Sequence, residues 1–194
     1  AMSIPGSQSR TQPGRYTFLD SMVIGIPAGG TSAIGAGLNA EEQRSHMTMW
    51  VMAASPLLTC NDVRNMSAEV RSILMNEEVL AVHKDPLARM GSRIDLGGGV
   101  NEPHTNSDSA STWSAYARPL VDGSSAVMVL NRGSAAQTVN LALENVGDPF
   151  VTHYAIRDLW AHRNLSSIPS MVPMGMPSWP VPTVELAVPA HGVR

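Results

Sequence analysis

The chain is poor in most of the residues that announce a chemistry. One cysteine, Cys60, stands alone among 194 residues, so no internal disulfide framework is available. Charge is sparse at 15% and nearly balanced, with 13 Lys and Arg against 16 Asp and Glu. No basic surface results, which excludes nucleic acid and anionic membrane as electrostatic partners. No run of 18 apolar residues occurs, so no helical membrane span is expected. The opening AMSIPGSQSRTQPGR has no apolar core and does not read as a signal peptide. The six histidines (46, 83, 104, 153, 162 and 191) lack ligand spacing, so neither a metal nor a cofactor is expected. Gly97-Gly98-Gly99 has no strand–turn–helix setting and reads as linker. No Gly-x-Ser-x-Gly elbow is found.

What is present is a 43% hydrophobic chain whose patterning changes once along its length. Residues 1–17 are polar and rich in Gly, Pro, Ser and Gln, and are expected to be disordered. Leu19 to Gly25 reads as a short buried strand and Ile26 to Leu38 as a loop. Asn39 caps a helix, with Glu42 three residues on completing a capping box. Met47, Trp50, Val51 and Ala54 recur at helical spacing until Pro56. Leu57 to Cys60 is the next strand, Ser67 caps a helix reaching Met75, and Asn76 starts another that ends before Asp85-Pro86. Strand, helix, strand, helix argues for parallel pairing with helices outside. Beyond residue 92 the pattern becomes short strands with turn punctuation. These are Trp113 to Leu120, Ala126 to Leu130, Thr138 to Leu143, Val151 to Asp158 and Val184 to Val188, an antiparallel sandwich. Pro169 to Pro182 reads as an irregular insertion.

The segment NAEEQRSHMTMWVMAASPLLTCNDVRNMSAEVRSILMNEEVLAVHKDPL, from Asn39 to Leu87, resembles the last barrel units of the α-galactosidase (melibiase) family, glycoside hydrolase family 27. The likeness continues through WSAYARPLVDGSSAVMVLNRG, IRDLWAH and VPAHGVR. The resemblance implies a (β/α)₈ TIM barrel followed by an antiparallel β-sandwich. It implies an α/β plus all-β division: 1–17 unassigned, 18–92 the last two βα units, 93–111 a linker, and 112–194 the sandwich. The implied activity is hydrolysis of terminal α-linked galactose on oligosaccharides or glycans by a retaining double displacement, which needs two carboxylates about 5 Å apart. The family's nucleophile and acid/base aspartates are both expected upstream of this chain, so no catalytic residue is assigned and the chain is expected to be inactive alone. The missing likeness before Phe18 is expected of a truncated or wrongly spliced gene start. A secreted parent is expected from the resemblance, with Asn65-Met66-Ser67 and Asn164-Leu165-Ser166 as compatible glycosylation sequons.

One site residue is carried over. Asp20 aligns with the last Asp of the family's Trp-x-Asp-Pro-Asp-Met motif, which hydrogen-bonds the galactose ring. Here the motif reads Tyr16-Thr17-Phe18-Leu19-Asp20-Ser21-Met22, without the Trp or the Asp-Pro and with Ser21 where Met is usual. The competing reading of Asp20 is a plain turn or helix-cap acid. Asp62, after the second strand, is expected to make an Asx-turn. Cys60 is expected to be a small buried hydrophobe. Trp113, Trp160 and Trp179 are assigned to packing ahead of a sugar-stacking platform. Two rival functions stay open: a non-catalytic carbohydrate-binding sandwich module, and an α-N-acetylgalactosaminidase. Two strands of a barrel that needs about 250 residues and eight strands to close leave open edges, so association of the 18–91 region is expected.

Overall fold

A computed structural model describes residues 11–27, 37–94, 112–143, 146, 153–165, 168–169 and 182–194. The first helix, α1 (Ala40–Met52), begins as its sequence dictates. The Asn39 side chain accepts from Glu42 N–H at 3.0 Å while Glu42 Oε2 accepts from Asn39 N–H at 2.8 Å, satisfying two otherwise orphaned donors. It stops at Met52, short of Pro56, because Ala54 enters the left-handed region at φ 51°. The Ser67 hydroxyl caps α2 (Ala68–Leu74) through Val70 N–H, and Asn76 caps α3 (Glu77–His83) through Glu78 and Val79 N–H.

The two expected strands that alternate with these helices shrink to one parallel bridge, Met22 to Thr59. Met22 N–H donates to Leu58 O at 2.6 Å and Cys60 N–H to Met22 O at 3.2 Å. The run from Leu19 to Gly25 is broken on both sides of Met22, by Asp20 at φ 72° and Gly25 at φ 77°. Gly25 also sits where a Cβ would lie 2.9 Å from Val70 Cγ1, so a side chain there collides with α2. Met22, Ile24, Met47, Val51, Val70, Ile73, Val79 and Val82 form the core of this half.

The second half is antiparallel throughout its described ladders. β1 (Ser92–Arg93), β2 (Trp113–Pro119) and β3 (Ser125–Asn131) make one sheet, extended by the C-terminal residues through the Leu130–Val193 bridge. The β2–β3 hairpin turns at Gly123, φ 85°, with the Asp122 carboxylate accepting from Ser124 N–H. A second sheet pairs β4 (Gln137–Ala142) with β9 (Thr183–Val188). Two small ladders complete it: β5 (His153–Tyr154) with β8 (Ile168–Pro169), and β6 (Arg157–Asp158) with β7 (Arg163–Asn164). The period of two sorts the side chains. Ala115, Val129, Val139, Leu141, Val184 and Val188 fill the space between the two larger sheets. On the opposite face of β2–β3, Met128 and Tyr116 pack with Val193 against Met49 and Met52 of α1. Helix α1 is therefore covered on both sides, by its own half and by the sandwich.

Several expectations change. Residues 11–17, expected to be disordered, carry an antiparallel Gln12–Arg15 bridge, and Thr11 is buried with its hydroxyl accepting from Met90 N–H. Ser92 to Ile94 pair with β2, so the start of the expected linker belongs to a sheet. The strand expected over Val151 to Asp158 is two short ladders, with 151–152 outside the described residues. Gly97–Gly99, Trp179 and most of the Pro169–Pro182 segment also lie outside them.

Candidate functional site

Asp20 is exposed and adopts φ 72°, a region that costs an L-residue with a Cβ and that Asp tolerates better than most. Its carboxylate accepts from Ser21 N–H at 2.7 Å. The backbone on either side is tied to the end of α1 and the turn that follows it. Leu19 N–H donates to Ser55 Oγ at 3.0 Å, and the Asp20 carbonyl accepts from Trp50 Nε1–H at 2.9 Å. Ser55 is fully buried, and its carbonyl lies 2.8 Å from His83 Nε2. A carbonyl only accepts, so the proton of that bond is on Nε2. Burial holds the His83 pKa below the ordinary imidazole value, against the pull of the Ser55 carbonyl. Trp50 stacks on His46, ring centroids 4.0 Å apart, and burial likewise lowers the His46 pKa.

Asp62 lies elsewhere. The Met22–Thr59 bridge is parallel, so Asp20 before it and Asp62 after it point to opposite ends of the strand pair. Asp62 makes the expected Asx-turn: its carboxylate accepts from Arg64 N–H at 3.0 Å and from the Arg64 guanidinium at 2.9 and 3.0 Å. That guanidinium lowers its pKa. Cys60, expected to be buried, is exposed. Leu58 is also exposed; among the described residues no further strand covers that side of the bridge. Trp113 and Trp160 pack against the cores, as expected. Among the described residues no three His, Cys, Asp or Glu side chains converge as a metal site, and no helix is long and apolar enough to cross a membrane.

The strongest polar constellation joins the two halves, and sequence reasoning missed it. Arg118, on the helix-facing side of β2, is wholly buried. Its guanidinium donates to Val51 O in the last turn of α1 and, at 3.5 Å, to His83 O at the end of α3. A cation thus sits at the negative ends of two helices. Burial lowers its pKa, with Asp85 opposing. Nearby, Glu78 of α3 receives Arg157 through two bonds of 2.6 and 2.7 Å, and His162 Nδ1 lies 2.8 Å away. These partners, Arg157 first, hold the Glu78 pKa down at about 2. Asn76 Nδ2 donates to Leu159 O at 3.0 Å, and Trp160 Nε1 to Thr48 Oγ1 at 3.2 Å. The segment 157–162 is therefore a clasp over α1 and α3.

Comparison with known proteins bears on both halves. A family model described as the α-galactosidase C-terminal β-sandwich domain matches residues 110–194, and one described as α-galactosidase A matches residues 8–85. The chain is 32% identical over 154 residues to α-galactosidase 3 of Arabidopsis thaliana, covering 79% of itself and 31% of that protein. It is 30% identical over 155 residues to the α-galactosidase of Oryza sativa subsp. japonica, covering 80% and 32%. Among solved structures, α-galactosidase I of Mortierella vinacea superposes with a TM-score of 0.70 at 26% identity, covering 96% of this chain and 40% of that one. The chain spans about a third of the length of the curated relatives it matches.

Proposed function

Because the chain belongs to the α-galactosidase family of glycoside hydrolases, we propose that it supplies the closing barrel units and the sandwich of an enzyme that removes terminal α-linked galactose from oligosaccharides or glycans. In this reading Asp20 is the chain's contribution to the sugar site, holding hydroxyls of the galactose ring. The two aspartates that cleave the bond match no position of this sequence, so these 194 residues recognise without hydrolysing. Residues 18–92 serve as the barrel portion and 112–194 as the sandwich. Secretion of the whole protein agrees with the exposed sequon residues Asn65 and Asn164.

The observation that carries the assignment of Asp20 is its backbone. An exposed acid adopts a sparsely populated conformation at a corner bonded by two distant side chains, Ser55 and Trp50, at the position where the family's motif has its sugar-binding Asp. Strain that the surroundings over-determine is characteristic of binding sites. Asp20 precedes the parallel bridge, yet the left-handed turn makes it a corner between segments 16–19 and 21–24 and not the foot of a continuous strand. Calorimetric titration with methyl α-galactoside tests this. Heat of binding that disappears in Asp20→Ala is the expected result; equal heat from both proteins removes Asp20 from the site. Parallel titration with the N-acetylgalactosaminide decides the sugar, and binding that survives Asp20→Ala at full strength favours the sandwich as a carbohydrate module.

A further inference from the structure

We propose that Trp50 and Ser55 are positioning residues for Asp20, fixing the left-handed backbone that presents its carboxylate to a galactoside. The inference rests on the reading of Asp20 as the sugar-facing acid.

The geometry is a two-point clamp. The Phe18–Leu19 peptide is held at Leu19 N–H by Ser55 Oγ, 3.0 Å away, and the Asp20–Ser21 peptide at the Asp20 carbonyl by Trp50 Nε1–H, 2.9 Å away. With these two planes anchored, only the dihedrals of Leu19 and Asp20 remain between them, which restricts the conformations open to Asp20. Each clamp residue is itself immobilised. Ser55 N–H donates to Trp50 O at 3.1 Å, and Ser55 O meets His83 Nε2 at 2.8 Å. Trp50 lies against the barrel-half core and stacks on His46 within 17° of parallel. What remains free to act is the acid. Among the described residues its exposed carboxylate bonds only Ser21 N–H, through Oδ1. A turn that needed only a positive φ would be served by glycine. A rigid frame around an exposed carboxylate suits a group that must meet a ligand hydroxyl without first being ordered.

Trp50→Phe keeps an aromatic ring beside His46 but removes the donor, and Ser55→Ala removes the acceptor with almost no change of volume. Asp20→Gly keeps the turn and removes the acid. Each protein, as the full chain, is titrated with methyl α-galactoside while backbone NMR shifts report the sign of φ at residue 20, and melting temperature is read alongside. The wild-type chain binds. Trp50→Phe and Ser55→Ala each weaken binding about tenfold, the size expected for losing one oriented hydrogen bond, and blur the positive-φ signature with the melting temperature nearly kept. Asp20→Gly retains the signature and loses binding. If both clamp variants bind like wild type, the positioning role is overturned while Asp20 keeps its own. If wild type binds no galactoside, the recognition reading falls and the positioning role falls with it. Should Trp50→Phe fail to fold, Ser55→Ala decides alone.

Discussion

At the scale of single residues, the most consequential groups are those whose charge the fold has to manage. Among the described residues Arg118 has no carboxylate in hydrogen-bonding contact; its two terminal nitrogens donate to carbonyls at the ends of α1 and α3, while the buried Nε has no partner there. Truncation to Ala leaves a void and unmet carbonyls, and is expected to cost about 3 kcal/mol in chemical denaturation. Arg118→Met fills the space without a buried charge and should cost distinctly less; equal losses would mean the charge itself is indispensable. Glu78 sets an acid limit. Its folded pKa, about 2, lies below the ordinary 4.5, so its contribution is fully present above the ordinary value. That contribution drains away as pH falls from there toward about 2. Melting temperatures of wild type and Glu78→Gln should therefore differ at neutral pH and converge across that window. Curves that already coincide at neutral pH would show that the Arg157–His162 clasp is energetically idle.

At the scale of elements, the helix starts were the most legible part of the sequence. Asn39 with Glu42, Ser67 and Asn76 were each readable as caps, because a cap is a local contract between one side chain and the next few amides. The strands Leu19–Gly25 and Leu57–Cys60 were read too generously. Hydrophobic length alone does not reveal that Asp20 turns left-handed, since the bonds that hold this corner come from Ser55 and Trp50, 30 or more residues away. Cys60 was misplaced for the same reason: its burial depends on a neighbouring strand that the described residues do not provide. Trp50 was rightly assigned to the apolar stripe, but a half-buried indole N–H also seeks an acceptor, a signal that points to a partner without naming it. The caps also differ in value. Asn39 acts within its helix, and Asn39→Ala should cost about 1 kcal/mol. Asn76 is buried and also reaches Leu159 across the two halves, so Asn76→Ala should cost roughly 2 kcal/mol or more. Urea denaturation giving the reverse order would contradict the clasp.

At the scale of the molecule, the two halves differ in pattern yet share a core. Met52, Met128 and Val193 pack across the junction. At Gly91 the chain passes so close to α1 that a Cβ would lie 2.9 Å from Met52 Cε and 3.3 Å from Ala117 O. The change of composition near residue 92 was legible; the tight suture was not, because it is written in residues that look like ordinary core. A single cooperative melting transition is expected, and two separable transitions in calorimetry would contradict the shared core. Exposed Phe18, Leu58 and Val63 beside the bridge should make the chain associate with rising concentration. Size-exclusion chromatography across a hundredfold dilution checks this, a constant monomer volume being the contrary result.

The central claim is that this chain carries the frame and one sugar-facing acid of an α-galactosidase, without the acid pair that breaks the bond. Release of p-nitrophenol from its α-galactoside by the purified 194-residue chain tests it most directly. The account predicts none above the uncatalysed rate, and turnover that scales with protein concentration would contradict it.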